Sequence, residues 1–356
     1  MARATQAIID LHALRENYQL AKQCAANSRA FAVIKANAYG HGMLTIANAL
    51  SLDADGFAVA CVDEAVALRE AGILLPILVL EGAMDSTECQ VAFDLDLELA
   101  VHQQEQLDWM TNAKGSIKVW IKVDTGMHRL GFAVQDVPAV VSDLRLKGNV
   151  SQVHLMSHFA CADDLNHPFN QVQLDQMQTL SPMQLPWSMS NSAALLTMPQ
   201  SHGALVRPGI MMYGSSPMIG STGQDFKLQA VMTLQSEVIA MHRLKAGDSV
   251  GYGQSFMVDK DTQLAVVAIG YGDGYPRSAK AGTPVLIKGK KCPLVGRVSM
   301  DMLTVDVTEA NVQLGDTATL WGTGLSADEV AMHCDTLSYE LFCRLTNRVK
   351  FQYLGR

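Results

Sequence analysis

Lys35 comes straight after three apolar residues in Ala32-Val33-Ile34-Lys35 and closes the first β-rich run of the chain. A buried ammonium is costly unless it is paired or neutralised. A lysine whose site pushes its proton off becomes a nucleophile for Schiff-base chemistry. An exposed strand-end lysine fits the same position, and spacing alone does not choose between the two. Other run-ends carry Arg129, in Asp124-Thr125-Gly126-Met127-His128-Arg129-Leu130-Gly131, and His158, Ser192 and Arg207. Ser192, in Asn191-Ser192-Ala193-Ala194, opens a helix-like segment whose free amides suit a phosphate. A lysine, a phosphate cradle and a cationic partner on one rim together suit pyridoxal phosphate.

Other motifs carry less. His154 and His158 are four apart on a strand with no acidic third ligand nearby, so no metal is expected. The run Gly270-Tyr271-Gly272-Asp273-Gly274-Tyr275 lacks the lysine and the serine or threonine of a P-loop and reads as a sharp turn. The 19 methionines are scattered through apolar runs as core filler.

Elements must hold these side chains in place. Up to residue 215, eight β-rich runs appear: Phe31–Lys35, Gly56–Ala60, Ile77–Glu81, Leu97–Val101, Ile117–Asp124, Ser151–His158, Trp187–Ser190 and Leu205–Arg207. Between them Leu11–Cys24, Asp63–Ala71, Gln103–Met110, Val134–Leu146 and Gln171–Leu180 carry helical spacing, and Asp10, Asp63 and Asp85 stand where N-caps belong. The alternation predicts an α/β fold, a (β/α)8 barrel as the N-terminal domain over residues 1–225. A doubly wound sheet is the alternative, weakened by the lack of GxGxxG after the first run. Beyond that point glycine-punctuated β runs predict a mostly-β C-terminal domain over 226–356, with helices at Ala327–Cys334 and Tyr339–Leu345. Residues 1–9 are a candidate extra strand of that β domain.

Composition narrows the function classes. Against 27 basic side chains stand 35 acidic ones, a net charge of −8 without the cationic footprint that nucleic acid or an anionic membrane needs. With 49% hydrophobic and 17% charged residues, the chain is too apolar to be disordered. The longest apolar stretch, 71–80, is about half a membrane span and contains Pro76, and the N-terminal apolar run is too short for a signal peptide. Seven cysteines, odd in number and without CxxC, read as reduced and mostly buried in a cytoplasmic protein.

Taken in order, Val33-Ile34-Lys35-Ala36-Asn37-Ala38-Tyr39-Gly40-His41-Gly42, Asp124–Gly131, Ser157-His158-Phe159-Ala160, Arg207-Pro208-Gly209, Val250-Gly251-Tyr252-Gly253 and Val298-Ser299-Met300-Asp301 closely resemble segments of bacterial alanine racemases. The matches span almost the whole chain. The resemblance implies a pyridoxal 5'-phosphate barrel followed by a β domain, a homodimer with shared active sites, and interconversion of L- and D-alanine. It makes Lys35 the cofactor lysine and one base, and Tyr252 of the neighbouring subunit the second base. A tyrosine needs help to act as a base at neutral pH, and His158, between Tyr252 and Arg207, provides it in the family. Arg207 faces the pyridine nitrogen and leaves it unprotonated.

The phosphate contacts implied are Tyr39, Ser192 and the backbone at Gly209 and Ile210. Arg129 matches the arginine that holds the cofactor's phenolic oxygen and approaches the substrate carboxylate. Met300 and Asp301 are lent by the partner to the substrate site. Tyr271, Asp163, Arg277 and Arg297 border the entry channel. Lys122, flanked by apolar residues on the fifth run, matches a lysine that family members carry as a carbamate, which supports Arg129. Asn347 stands where many members have a tyrosine on the phosphate; Tyr353 is not aligned with it. The rival readings are a racemase of serine or broader specificity, a barrel-type decarboxylase of basic amino acids, and a non-catalytic cofactor-binding protein. The decarboxylases protonate the pyridine nitrogen with a carboxylate, and the non-catalytic relatives lack a second domain.

Overall fold

A computed structural model of the protein describes residues 4–355. Its first unit, residues 15–212 with 217–220, is built on eight parallel strands: Arg29–Val33, Gly56–Val59, Ile77–Val79, Glu98–Val101, Ile117–Asp124, Val150–Met156, Trp187–Ser188 and Leu205–Val206. From Arg29–Val33 to Trp187–Ser188 each pairs with the next, and Leu205–Val206 returns to pair with Arg29–Val33. The last seam closes through Ala204 N donating to Trp187 O (2.8 Å) and Arg207 N donating to Ser190 O (3.0 Å). The short strand Phe132–Ala133 lies beside Ile117–Asp124 outside this ring. These strands are near-continuous apolar runs because helices cover their outer face.

On the inner face of Ile117–Asp124, alternation places Lys118, Trp120, Lys122 and Asp124 in one line. Trp120 Nε1 donates to the buried Glu98 carboxylate (2.7 Å), and His154 sits edge-on to the indole at 4.4 Å. His154 is thus part of the barrel filling, below the rim where Lys122 emerges.

The second unit holds residues 4–14, 213–216 and 221–355. Met232–Leu244 is long and bulged between Val238 and Ala240, so it pairs with both Thr317–Trp321 and Thr262–Val267 and closes a six-stranded antiparallel ring through Pro284–Ile287, Lys290–Val295 and Leu303–Asp306. Gln6–Asp10 joins it as an added strand, antiparallel to Met232–Leu244 and parallel to Lys350–Leu354. Residues 213–216 and 221–225, counted with the barrel on sequence, group with this unit. The buried Asp328 carboxylate accepts from the amides of Ser216 and Gly223, both at 3.0 Å, and so ties them there.

Several local expectations change. The N-cap before Val62–Glu70 is Cys61, and Asp63 lies inside the first turn, where its charge still complements the helix dipole. Asp85 does cap its helix by accepting from Glu88 N (2.8 Å), and Asp10 accepts from the amides of His12 and Ala13. Helix Met43–Leu50 and strands Thr317–Trp321 and Lys350–Leu354 were not expected. No cysteine is in a disulfide; Cys89, Cys292 and Cys334 are buried, but Cys24 and Cys343 are exposed.

Candidate active site

The first barrel strand ends at Val33, so Lys35 stands past it, at the head of a turn and not within the strand. Ala36, Asn37, Ala38 and Tyr39 all have φ between 51° and 54°, and Gly40 follows at 78°. This is a left-handed helical turn, closed by Gly40 N donating to Ala36 O at 3.0 Å. Left-handed backbone costs about 1–2 kcal/mol for a residue such as alanine. Strain of this kind persists where surrounding structure over-determines it. His41, wholly buried, hydrogen-bonds through Nδ1 to the carbonyls of Tyr39 (2.9 Å) and Ala38 (3.1 Å).

Burial pushes the His41 imidazole down to about 4 against an ordinary 6.5, despite those two carbonyls, which favour its protonated form. A histidine held neutral in the fold but free to protonate when unfolded gives stability that is present above pH 6.5 and lost as pH falls towards 4. A shift of this size corresponds to at most about 3 kcal/mol. Chemical denaturation of the protein should therefore show a loss over that window that flattens in His41→Gln; an unchanged slope in the variant would assign the loss to other groups.

Arg207 is 4% exposed, and its guanidinium is spread over Ser188 Oγ, Ser157 O (2.7 Å), Met189 O (3.4 Å) and His158 Nδ1 (3.4 Å). Among the described residues no carboxylate pairs with it. Burial pulls it down to about 10, still protonated at neutral pH. As it donates to His158 Nδ1, the neutral imidazole carries its proton on Nε2. Burial, then Lys122, Arg207, Arg129 and Lys35, hold His158 well below its ordinary value, so it is neutral. Burial, then Arg207, Arg129 and Lys35, bring Lys122 down to about 7, with Asp124 opposing them. Arg207, Arg129 and Lys35 thus all act on Lys122 at the barrel rim. The turn Asp124–Gly131 that carries Arg129 doubles back tightly: a Cβ on Gly131 would stand 2.6 Å from Asp124 N. Arg129 itself is exposed.

A second convergence lies beside the first. Ser192 begins the helix Ser192–Thr197, capped by Asn191. Its Oγ accepts from Gly209 N (2.8 Å) and Met211 N (3.4 Å), which leaves its own hydrogen free to be donated outward. A Cβ on Gly209 would lie 2.7 Å from Tyr39 Oη and 3.8 Å from Ser192 Oγ, so the glycine opens a cradle between the two hydroxyls; Ile210 is buried behind it. These residues fit pyridoxal phosphate: hydroxyls and a helix start for its phosphate, and clustered basic side chains for its anionic oxygens.

Tyr252, Tyr271, Arg297, Met300 and Asp301 come together in the β-rich unit. Tyr252 is 70% exposed, on a turn whose Gly251 and Gly253 lie against Arg297. Tyr271 N donates to Ser299 O (3.0 Å) and Gly272 N to Met300 O (2.8 Å). The turn Tyr271–Asp273 is the sharp one expected, capped by Asp273 on Gly270 N. Arg348, not singled out on sequence, spans Asp273 (3.2 Å) and Asp301 (2.6 Å). Arg277 and Asn347 are exposed in this unit, and Tyr353 lies on the Lys350–Leu354 strand. Asp163 is exposed in the barrel unit, its carbonyl accepting from Ile219 N.

Sequence reasoning also passed over His102 and Glu64. His102 follows Val101, whose partner across the ladder is Ile121, which puts it beside Lys122; burial, with Lys122 among the further causes, lowers its pKa. Glu64 accepts from Ala36 N (2.7 Å) and Ala60 N (2.8 Å). Neither carried a local signal: His102 meets Lys122 through the register of two strands, and Glu64 reaches the turn from within the helix Val62–Glu70.

Two family models match the chain: "Alanine racemase, N-terminal domain" over residues 9–217 and "Alanine racemase, C-terminal domain" over 231–353. An alanine racemase of Thioalkalivibrio sulfidiphilus is 48% identical over 362 residues, covering 100% of both chains. The crystal structure of the biosynthetic alanine racemase of Pseudomonas aeruginosa superposes with a TM-score of 0.97 at 44% identity, covering 100% of both chains. That of Bartonella henselae, described with covalently bound pyridoxal phosphate, gives 0.88 at 30% identity over 99% of each.

Proposed function

The chain belongs to the alanine racemase family, interconverting L- and D-alanine with pyridoxal phosphate, and from that premise we propose how its own residues divide the work. The cofactor, when bound, makes the substrate's Cα proton acidic by delocalising the electron pair left behind. Lys35 holds the cofactor covalently and moves the proton on one face of Cα. Tyr252 of a second protomer moves it on the other. His158 presents Nε2–H to the Tyr252 oxygen, which favours the ionised phenol. Arg207 keeps His158 in that tautomer and sets a permanent cation against the pyridine nitrogen. Tyr39, Ser192 and the backbone at Gly209 and Ile210 hold the phosphate, Arg129 the phenolic oxygen and the substrate carboxylate. Met300 and Asp301 close the substrate site from the partner, with Tyr271, Asp163, Arg277 and Arg297 along the approach.

The observation that carries this reading is the cluster of Lys35, Arg129 and Arg207 acting on Lys122 at the rim of a barrel matched end to end by the family. Arg207 where a decarboxylase needs a carboxylate argues against that rival. Loss of optical rotation from L-alanine, L-serine and L-lysine, measured side by side, tests it: alanine should turn over fastest, and a preference for serine or lysine would overturn the assignment.

The homodimer is supported by the exposure of Tyr252, Met257, Tyr271, Met300 and Met302 on the β-rich unit. A cytoplasmic site of action is supported by seven cysteines outside any disulfide. Among the described residues no helix is long and apolar enough to cross a membrane. D-Alanine supply for peptidoglycan precursors is the role this family membership favours.

Lys122 is the carbamylation site. Held near pH 7, its amine is unprotonated often enough to attack carbon dioxide; the new N–C bond releases a proton and leaves a carboxylate. That anion can take a bidentate pair from Arg129 and relieve the crowding of like charge. In Lys122→Ala, a guanidinium displaced by about 1 Å should lose on the order of 100-fold in rate. Acetate or propionate should restore part of it. Full activity without the added acid, or a wild-type side chain that carries no added carboxylate by mass, refutes the carbamate.

A further inference from the structure

A left-handed turn of non-glycine residues directly behind the cofactor lysine has to be held, and two side chains grip it at opposite ends. At its start, Ala36 N donates to Glu64 Oε1 (2.7 Å), while Glu64 Oε2 accepts from Ala60 N (2.8 Å), just past the second barrel strand. One carboxylate therefore ties the turn to the barrel wall. At its far end the His41 imidazole hydrogen-bonds through Nδ1 to the carbonyls of Tyr39 and Ala38. Between these grips Ala38 N donates to Ile34 O, Gly40 N to Ala36 O, His41 N to Ala38 O and Gly42 N to Asn37 O. Asn37 Oδ1 then accepts from Met43 N (2.8 Å) and passes the chain into the next helix.

The turn spans the distance between the two residues that matter. Lys35 stands at its head, and Tyr39, at its last left-handed position, aims its hydroxyl at the Gly209 cradle. Relaxation of Ala36 or Ala38 to right-handed backbone would rotate the peptides between them and move amine and hydroxyl relative to each other.

We propose that His41 and Glu64 are positioning residues that hold the turn 36–39 in its left-handed form and thereby set the spacing between the Lys35 amine and the Tyr39 hydroxyl. The proposal rests on the reading of Lys35 and Tyr39 as contacts at the two ends of the cofactor. Neither His41 nor Glu64 touches substrate or cofactor. His41 is wholly buried, so its ring can be judged only against core filling, and the two roles differ in one respect. A filler's loss is not repaired by a residue elsewhere that accepts positive φ. A clamp's loss is, because glycine takes that backbone with no steric penalty.

The test uses holoenzyme of His41→Leu and Glu64→Gln, each alone and combined with Ala36→Gly. Its readouts are the dissociation constant for pyridoxal phosphate, from visible absorbance after dialysis, and kcat and KM for alanine. His41→Leu should weaken cofactor binding about tenfold or more and lower kcat, and Glu64→Gln should move both in the same direction by less. Adding Ala36→Gly should recover at least about threefold in affinity in either background. Affinity and kcat within about twofold of wild type in both single variants would overturn the proposal. So would an Ala36→Gly change that leaves either defect unrepaired. If His41→Leu yields no folded protein, the Glu64→Gln pair decides alone. Lys35→Ala is run alongside: a covalent absorbance that survives there contradicts the assignment of Lys35, whatever the turn does.

Discussion

Lys35→Ala is expected to purify folded but without the visible absorbance of covalently held pyridoxal phosphate, and to racemise alanine at background. Two losses combine here. The amine that anchors the cofactor and the base on one face of Cα are the same atom, so the substitution removes the covalent link and one proton carrier together. A positioned general base alone is worth about 10²–10⁴-fold, and the loss of anchoring comes on top. The phosphate cradle of Tyr39, Ser192 and Gly209 remains, so the variant should still bind the cofactor reversibly and lose it on dialysis. Removing a cation also relieves Lys122 and His158, both lowered in part by Lys35. The fold should therefore be no less stable than wild type. Absorbance at the same wavelength that resists dialysis would place the linkage on another amine, and Lys122, with its depressed pKa, is the one to examine by peptide mapping.

How this site arises was only partly legible in the chain. The eight barrel runs are readable because strands covered by helices are short apolar blocks bounded by polar turns. The observed Ile117–Asp124 and Gly56–Val59 begin where those blocks begin. The rim residues follow from the ends of such blocks, which is how Lys35, Arg129, His158 and Arg207 were found. What escaped was backbone hand and lateral neighbourhood. Nothing in Ala36-Asn37-Ala38-Tyr39 announces positive φ, since alanine avoids it. The turn is dictated by its tertiary hydrogen bonds to Glu64 and His41, which lie outside any local period. His102 meets Lys122 only through the register between Glu98–Val101 and Ile117–Asp124. Thr317–Trp321 was missed because its place in the ring depends on pairing with Leu234–Glu237 of Met232–Leu244, more than 75 residues earlier in the chain. Arg348 matters through Asp273 and Asp301, neither close to it in sequence.

Chains of Lys35→Ala and Tyr252→Phe, each nearly inactive alone, are expected to regain activity when they share a dimer. Lys35 belongs to the barrel unit and Tyr252 to the β-rich unit, 217 residues apart in the chain. At 70% exposure on a turn between two short strands, Tyr252 is available to another molecule. In a dimer with crossed sites, one site of the mixed pair draws Lys35 from the Tyr252→Phe chain and Tyr252 from the Lys35→Ala chain, and is intact. The other site carries both lesions. Random assortment makes about half of the dimers mixed, each with one working site of two, so the mixture should reach about a quarter of wild-type activity. Tyr252→Phe alone should retain the cofactor absorbance, because the phenol is a proton carrier and not an anchor; this separates its defect from that of Lys35→Ala. Co-expression with two different affinity tags isolates the mixed dimer, where the expected figure rises to about one half. Mixed dimers isolated in this way that remain as inactive as their parents would show that each site is built from a single chain, and the role of Tyr252 as the partner's base would fall with it.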